Sequence, residues 1–283
     1  MKAAEFDYQR PLDLEAALAL LADDSKDVQI LAGGQSLMPM MNFRLAQPEL
    51  LVDLNALDEL QFIRETDTAV QIGSMTRYVE LERSALIQQH APLITKALPY
   101  IAHAAIRNRG TIGGSAALAD PAAEMPALLI ALNATIVIRS KGGQRSVPAT
   151  EFFLGLYETA LEPGELIETI TLPKALADNR CGFYELTRRH GDYAMAGVAI
   201  TADKSRPVSG MRVVFFAVSD RPTRAETVEK IIEGSPSLEM KEMAGTLAAI
   251  DQLDFHGDLT ADENTKRHFA KVVFKRAIAE MTS

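Results

Sequence analysis

The feature that most constrains this chain is a pair of glycine doublets flanked by hydroxyl residues. The first, Ala32-Gly33-Gly34-Gln35-Ser36, follows an apolar run over 28–31 that predicts a β-strand, and it precedes a helical pattern. The second, Thr111-Ile112-Gly113-Gly114-Ser115, lies 80 positions further along. Because paired glycines permit positive φ and close approach of a ligand, both predict loops whose N–H groups bind phosphate. Each is also compatible with a plain turn, with Ser36 as a helix N-cap.

Other nucleotide-binding patterns are absent. No two glycines lie at i and i+2, so the G-x-G-x-x-G fingerprint of dinucleotide-binding folds is missing. There is neither a phosphate-binding G-x-x-x-x-G-K-[ST] nor a G-x-S-x-G nucleophile elbow. Two glycine-rich loops therefore predict a ligand with two phosphates, or one diphosphate held from both sides.

Composition narrows the class of protein. The chain has 283 residues, which suggests about two domains, and its formal net charge of −9 argues against nucleic-acid binding. One cysteine excludes an iron–sulfur cluster or a zinc site built from this chain's own cysteines, and the five histidines show no metal-binding spacing. Without an apolar leader or a membrane-length apolar run, we expect a cytoplasmic protein with no transmembrane segment.

The apolar pattern divides the chain. Helices are predicted at 12–22 and 35–44, strands at 28–31 and 50–54, and hairpins at 62–72 and 135–147, around a helical stretch over 76–107. After a polar stretch at 174–180, three β-type runs (183–188, 196–202 and 211–218) precede three helical stretches (223–233, 238–250 and 262–281). Strands followed by helices are typical of an α+β domain. We predict domains at 1–175, with subdomains of about 1–55 and 56–175, and at 176–283.

Three motifs then identify a family. AGGQSLMP, RNRGTIGGS and RRHGDYAMAGVA, in this order and spacing, resemble the FAD-binding medium subunit of the molybdenum hydroxylases, the xanthine dehydrogenase and aerobic carbon monoxide dehydrogenase family. The resemblance covers essentially the whole chain. It implies a flavin-binding fold of the vanillyl-alcohol oxidase and p-cresol methylhydroxylase type, built of two α/β subdomains. The same resemblance implies a C-terminal α+β domain with a three-stranded antiparallel sheet.

The resemblance also implies FAD-binding residues. Those expected at the diphosphate are Ala32 to Ser36 and Thr111 to Ser115, and those expected at the rest of the cofactor are Ile101, Glu124, Ile167, Tyr184 and Tyr193. Glu124 would bind a ribose or ribityl hydroxyl, and Tyr193 would lie over the flavin face. From burial preferences alone, Glu124 is as compatible with a solvated helix and Tyr193 with a core position. Tyr184 stands where xanthine dehydrogenases have a lysine.

The implied function is electron transfer. The resemblance predicts an oxidoreductase subunit that receives electrons from [2Fe–2S] clusters of a small subunit, which are fed by a molybdopterin-binding large subunit. It would pass these electrons through FAD to a final acceptor. The resemblance further predicts a dimer of heterotrimers, no catalytic residue of this chain's own and no metal site. The alternative is a self-contained nucleotide-binding or regulatory protein without a molybdenum partner.

Overall fold

The described residues form three larger β-sheets, of three, five and four strands, and a two-stranded one. The structure is a computed structural model, which describes residues 2–175, 179–203, 207–235 and 244–282. The first sheet is parallel with the order β1-β3-β2, formed by Asp7–Gln9, Leu50–Asp53 and Val28–Leu31. Two helices accompany it, α1 (Leu14–Leu21) and α2 (Leu37–Asn42). All four residues of the central strand β3 are buried, as expected of a strand covered on both faces.

A five-stranded antiparallel sheet follows, in the order β4-β5-β10-β6-β7. Its strands are β4 (Ile63–Glu65), β5 (Ala69–Gly73), β6 (Thr135–Ser140), β7 (Gly143–Pro148) and β10 (Leu166–Pro173). Both predicted hairpins are present, with strand boundaries shifted by at most two residues. Between β7 and β10 lie the short helix α9 (Ala149–Phe152) and a two-stranded piece that the sequence did not predict, formed by β8 (Phe153–Gly155) and β9 (Glu158–Thr159).

The long helical stretch is a series of short helices. These are α3 (Tyr78–Arg83), α4 (Ala85–His90), α5 (Pro92–Ala97), a 3-10 turn (Leu98–Tyr100) and α6 (Ala104–Arg107). Pro92 begins α5 and Pro99 lies in the 3-10 turn, where a missing N–H costs little. Ser84 ends α3 in an extended conformation and caps α4 with its side chain.

Helix α8 lies at the centre of the fold. It follows α7 (Ile112–Leu118) and an intervening turn, and all eight of its residues, Glu124–Ala131, are buried. A helix that is apolar on every face is covered on every face. Here α8 contacts the C-terminal strands as well as α5 and α7, so it lies between the two halves of the chain.

The C-terminal region contains a four-stranded antiparallel sheet. Its strands are β11 (Arg180–Leu186), β12 (Ala196–Ala202), β13 (Arg212–Phe216) and β14 (Thr223–Arg224), and its helices are α10 (Glu226–Ile232), α11 (Ala244–Ile250) and α12 (Glu263–Thr282). The three predicted strands are therefore joined by a fourth. The sequence pattern predicts helix from residue 223, but Thr223 and Arg224 pair with Phe215 and Val214, and the helix begins at Glu226. The start of the helix predicted at 238–250 lies outside the described residues.

One apolar core contains residues that precede and residues that follow the polar stretch at 174–180. The rings of Phe183 and Phe216 stack with centroids 5.8 Å apart, and both belong to the cluster that contains Ile72, Leu98 and Leu128. A separate cluster fills the space between α12 and the outer face of the C-terminal sheet. The proposed boundary at 175 and 176 stays a prediction, and it divides a shared core. In the part of the chain that the structure describes, every helix is too short or too polar to cross a bilayer.

Candidate functional site

A cleft of about 710 Å³ lies between the glycine motifs, the start of α8 and the C-terminal loop before β12. Most of the residues that the family resemblance singled out line it. They are Ala32, Gly33, Gly34, Gln35, Ser36, Ile101, Thr111, Gly113, Gly114, Ser115, Glu124, Ile167 and Tyr193. Its volume is in the range of small-molecule and cofactor sites. Residues more than 160 positions apart in the sequence thus form one concavity.

The first glycine motif presents its main chain to the cleft. Gly34 has φ +71°, which glycine adopts without strain. Within the described residues, no partner is present for the N–H groups of residues 33–36. Ser36 occupies the cap position of α2 but makes no capping hydrogen bond with its side chain. This loop therefore offers a row of unpaired N–H donors and a free hydroxyl, which suits an anion.

The second glycine motif differs from the prediction. Gly113 and Gly114 lie in the first turn of α7, which Thr111 caps. All four N–H groups of residues 112–115 are already bonded, to the main-chain oxygens of Thr76, Ser74 and Thr111 and to Thr111 Oγ1, at 2.9–3.1 Å. The expected second row of free main-chain donors is therefore not formed, because the helix cap and the neighbouring strand end occupy those donors.

These glycines allow the two motifs to pack tightly. A Cβ atom on Gly33 would lie 2.3 Å from the carbonyl oxygen of Arg109, next to the second motif. One on Gly113 would lie 2.5 Å from Ser74 Cβ and 2.6 Å from Ser74 O. Real Cβ atoms essentially never lie this close to another atom. Only glycine therefore allows the two main-chain segments to approach each other at both positions. The second motif and the end of β5 thus hold the first loop in place.

Ser74 is a lining residue that sequence reasoning missed. Only 4% of its surface is exposed, it lines the cleft, and its Oγ has no hydrogen-bond partner. A buried hydroxyl without a partner costs free energy unless a ligand or water completes it. In the sequence, Ser74 was only a hydroxyl residue after a predicted strand, which is too common a signal to single it out.

An acidic side of the cleft begins at α8. Glu124 is 7% exposed, and burial, followed by the charge of Asp120, raises its pKa to about 7. The alternative of a solvated Glu124 is therefore wrong. Behind it, burial and then the charge of Glu124 raise the pKa of Glu185 to about 8, and Glu185 Oε2 has no partner. At neutral pH a protonated Glu124 can donate a hydrogen bond as well as accept one.

Asp120 lies next to these residues and does not cap α8. Its Oδ1 accepts the N–H of Ala122 at 2.9 Å, and α8 begins only at Glu124 with Ala123 at the cap position. The carboxylate thus stabilises a turn ahead of the helix. Its other oxygen accepts a hydrogen bond from the Tyr157 hydroxyl at 3.4 Å.

Tyr193 reaches the cleft from the C-terminal region. It is 63% exposed, so the alternative that it is a core residue is wrong. Its loop is anchored two residues earlier at Gly191, where φ is +86° and a Cβ would lie 2.6 Å from the ring of His103. A phenol ring at the open mouth of an otherwise pre-formed cleft can pack against a flat ligand.

Two predicted residues do not reach the cleft. The side chain of Ile112, on α7, is fully buried in the large apolar core. Tyr184 lies on β11, where its hydroxyl is hydrogen-bonded to Arg276 and the Arg276 guanidinium lies 4.9 Å from its ring centroid. This contact with α12 turns the phenol of Tyr184 to the other side of the C-terminal sheet.

The cleft is lined by acidic side chains and by no basic ones. Its carboxyl residues are Asp120, Glu124, Glu162, Glu165 and Asp192, and no lysine or arginine lines it among the described residues. An anionic ligand in this cleft would therefore be bound by N–H and O–H donors rather than by ion pairs with lysine or arginine. The same described residues contain no group of three or more metal-ligating side chains placed to hold a metal ion.

Comparison with known families accounts for this architecture. Residues 4–175 match the model of the FAD binding domain in molybdopterin dehydrogenase, and residues 182–281 match that of the CO dehydrogenase flavoprotein C-terminal domain. Fold and cleft define a flavin-binding subunit of an oxidoreductase. The chain belongs to the FAD-binding medium subunits of the molybdenum hydroxylase family, and its cofactor is FAD.

Individual relatives agree. The carbon monoxide dehydrogenase medium chain of Hydrogenophaga pseudoflava is 38% identical, over 96% of this chain and 96% of its own. The 6-hydroxypseudooxynicotine dehydrogenase complex subunit alpha of Paenarthrobacter nicotinovorans is 40% identical, over 90% of this chain and 86% of its own. A solved structure of carbon monoxide dehydrogenase from H. pseudoflava, lacking the Mo-pyranopterin moiety, is 38% identical with a TM-score of 0.96, covering 100% of this chain and 99% of that one. These matches favour the medium-subunit function over a self-contained regulatory protein.

Proposed function

We propose that the cleft binds FAD in an extended form, with its diphosphate against residues 33–36. The observation that carries this proposal is the row of N–H groups in the first glycine motif that have no partner among the described residues. They face a cleft whose described lining contains no lysine or arginine. A diphosphate needs several hydrogen-bond donors, and main-chain N–H groups on a glycine loop supply them. Ser36, Ser115 and the unpartnered hydroxyl of Ser74 add side-chain donors.

The remaining residues suit the rest of the cofactor. Ile101 and Ile167 are buried apolar lining residues against which a flat ring system can pack. We assign Glu124, a lining residue with a pKa raised to about 7, to a sugar or ribityl hydroxyl, to which it could donate or from which it could accept. We assign Tyr193, an exposed lining residue, to the face of the ring system. When bound, FAD supplies a carrier that takes up and releases two electrons.

We further propose that the electrons come from other chains. This chain has one cysteine, so [2Fe–2S] clusters held by cysteines must lie on another chain. We assign them to a small subunit and the molybdopterin to a large one. We propose that two such heterotrimers associate. Two relatives of similar identity, 38% and 40%, carry names with unrelated substrates, carbon monoxide and 6-hydroxypseudooxynicotine. The substrate is therefore expected to be selected by the large subunit, not by this chain.

Cofactor titration tests the first proposal. The purified chain, stripped of any bound ligand, is titrated with FAD and separately with FMN, which lacks the diphosphate and the adenosine. We expect FAD to bind stoichiometrically and to raise the melting temperature, since a ligand at 100 times its Kd stabilises by about 2.7 kcal/mol, and we expect FMN to bind much more weakly. A chain that stays colourless with FAD, or that binds FMN equally well, contradicts the proposed site.

Native mass spectrometry tests the assembly. This chain is expressed together with candidate large and small subunits of the same family, and the intact complex is weighed. We expect two copies each of three chains. A stable complex with one copy of each contradicts the dimer, and a chain that associates with neither subunit contradicts the partners.

A further inference from the structure

The loop of the first glycine motif lies at one edge of the parallel sheet. It follows β2, and the turn after β3 lies beside it, because Leu31 and Asp53, at the ends of these two strands, are register partners. Neighbouring parallel strands bring their carboxyl ends to the same edge of a sheet, where ligands commonly bind. Residues of the turn after β3 are therefore close enough to act on the loop that offers its N–H groups to the cleft.

Asn55 connects this turn to the glycine loop. Its Nδ2 donates hydrogen bonds to the main-chain oxygen of Ala32 at 2.8 Å and to Asp53 Oδ1 at 2.6 Å. A carbonyl and a carboxylate only accept hydrogen bonds, so the NH2 end of the Asn55 amide must face both of them. Asn55 is half-buried and lies outside the cleft lining, whereas Ala32 and Gly33 line the cleft.

Asn55 is itself held in place by Asp53. The buried Asp53 carboxylate also accepts the main-chain N–H of Asn55, through Oδ1 at 2.9 Å, and its Oδ2 accepts the hydroxyl of Tyr8, on β1. Burial opposes ionisation of Asp53, but hydrogen bonds from Tyr8 and Asn55 outweigh it and lower the pKa of this carboxyl. An ionised acceptor strengthens the hydrogen bond that orients the Asn55 amide.

The geometry of the peptide unit relates this contact to the ligand. In a trans peptide the C=O and the N–H point in opposite directions. The hydrogen bond from Asn55 to the Ala32 oxygen therefore directs the N–H of Gly33 away from Asn55, which lies outside the cleft lining. A peptide next to glycine can rotate at little cost, and a rotated peptide would present the Ala32 oxygen to an anion instead of an N–H.

The next carbonyls of the loop are bonded as well. Gly33 O accepts from Gln35 Nε2 at 2.8 Å, and Gly34 O accepts from the N–H of Met38 at 3.1 Å. These bonds form within the loop and the helix that follows it, whereas Asn55 acts from a different strand end. With its carbonyls occupied in this way, the loop leaves its N–H groups available to an anion.

We propose that Asn55 is a positioning residue for the cofactor site: by holding the Ala32 carbonyl, it keeps the N–H of Gly33 directed at the diphosphate of FAD. Asp53 and Tyr8 support it by fixing the amide of Asn55. This inference rests on the proposed function, because it takes the first glycine motif as the diphosphate site. Donors that are oriented before binding favour affinity, since the ligand does not have to order the loop.

The first experiment uses the FAD complexes of wild type, Asn55→Leu and Tyr8→Phe. Leucine is close to asparagine in size but cannot donate a hydrogen bond. Tyr8 is 51% exposed, so Tyr8→Phe gives a folded chain even if Asn55→Leu does not. Gln47→Leu is the matched control, because Gln47 Nε2 also donates to a main-chain oxygen, that of Arg44 at 3.2 Å, outside the cleft lining.

Cofactor titration and phosphorus NMR of the bound FAD give separate readouts. We expect the FAD Kd to rise about tenfold in Asn55→Leu and about threefold in Tyr8→Phe, because a hydrogen bond to a charged group is weakened. The phosphorus resonances should shift in both variants, while the visible absorption of the flavin stays as in wild type. General damage to the fold would change the flavin absorption as well. Gln47→Leu should match wild type in all three measurements.

Three results would overturn the proposal. The first is a variant, Asn55→Leu or Tyr8→Phe, that folds and matches wild type in FAD affinity and phosphorus resonances. The second is a change in flavin absorption as large as the change at phosphorus, because the effect is then not confined to the diphosphate. The third is an equal loss of FAD affinity in Gln47→Leu.

The second experiment needs no cofactor and follows the amide nitrogen resonance of Gly33 in the FAD-free chain. This nitrogen shares its peptide unit with the Ala32 carbonyl, so its resonance responds to the hydrogen bond from Asn55. We expect an upfield shift in Asn55→Leu and a smaller one in Tyr8→Phe, which reaches the loop through Asp53 and Asn55. An unchanged resonance in both overturns the proposal. If wild type binds no FAD, the proposed function fails, and this resonance still decides whether Asn55 holds the Ala32 carbonyl.

Discussion

The two glycine motifs look alike in sequence and are used differently. In the first, the N–H groups of residues 33–36 have no partner within the described chain, and Ser36 leaves its helix uncapped. In the second, the four N–H groups of residues 112–115 are all bonded within the protein. Both offer small residues and hydroxyls, but only the first has a row of unpaired main-chain donors.

The difference shows why the second motif is needed. Gly33 contacts the main chain of Arg109, and Gly113 contacts the main chain of Ser74. The second motif is therefore a rigid surface, capped by Thr111, against which the first loop is held open. An anion-binding loop keeps unpaired N–H groups only if its neighbours prevent it from collapsing into a regular turn.

The largest expected effect is a loss of stability in two glycine variants. It distinguishes a role of these glycines in packing from a role in contacting the ligand. Gly33→Ala and Gly113→Ala each place a methyl group against main chain at 2.3–2.6 Å. We expect each to lower the free energy of unfolding of the FAD-free chain by about 3 kcal/mol, or roughly 6–12 °C in melting temperature. Gly142→Ala is the matched control, because its nearest neighbour is Ser140 Oγ at 3.6 Å. Stable glycine variants that merely lose FAD would mean that the glycines make room for phosphate instead.

The conformation of the first loop comes next. Gly34→Ala introduces a Cβ at φ +71°, beside only the flexible ends of Leu31 and Met38. We expect a loss of stability of about 1–2 kcal/mol and a fall in FAD affinity, measured by thermal unfolding and by cofactor titration. Gly34→Asn should be milder than Gly34→Ala, because Asn tolerates this conformation better. Equal effects of the two substitutions would show that crowding, not backbone conformation, is decisive.

A hydroxyl beneath the second motif gives a smaller effect. Ser74→Ala should weaken FAD binding about tenfold, since a hydrogen bond to a charged group contributes about 1.5–3 kcal/mol. The FAD-free chain should be as stable as wild type or more so, because an unpartnered buried hydroxyl is removed. Thr95→Val removes another buried hydroxyl without a partner, outside the cleft, and should leave FAD affinity unchanged. Equal affinity in Ser74→Ala and wild type excludes Ser74 from the cofactor site.

The smallest effect concerns salt. If main-chain dipoles of the first motif hold the diphosphate and no cation lines the cleft, raising the salt from about 0.05 M to 0.5 M should change the FAD Kd by less than about threefold. Isothermal titration at several salt concentrations measures this. A steep weakening with salt would reveal a lysine or arginine at the diphosphate that the described lining does not contain.

Local patterns predicted much of the fold. The strands Val28–Leu31 and Ala196–Ala202 have the predicted bounds, because β-branched and apolar runs between turn residues specify strands locally. The sequence patterns did not show which strands pair with each other in the sheets. Thr223 and Arg224 continue a helical pattern in the sequence but pair with β13 in the structure, and the strands at 153–159 carry no alternation that predicts them.

For the candidate site as well, some features could be predicted from the sequence and others could not. The sequence by itself determined the family, the cofactor and the positions of both glycine doublets, because these depend on residue types at fixed spacing along the chain. Only the tertiary fold shows which donors are free, that Ser74 lacks a partner, that Asp120 accepts a hydrogen bond from Tyr157 and that Arg276 turns Tyr184 away from the cleft. The physical reason is that a hydrogen-bonding group becomes paired or unpaired through neighbours that are distant in the chain, and a local pattern carries no information about those neighbours.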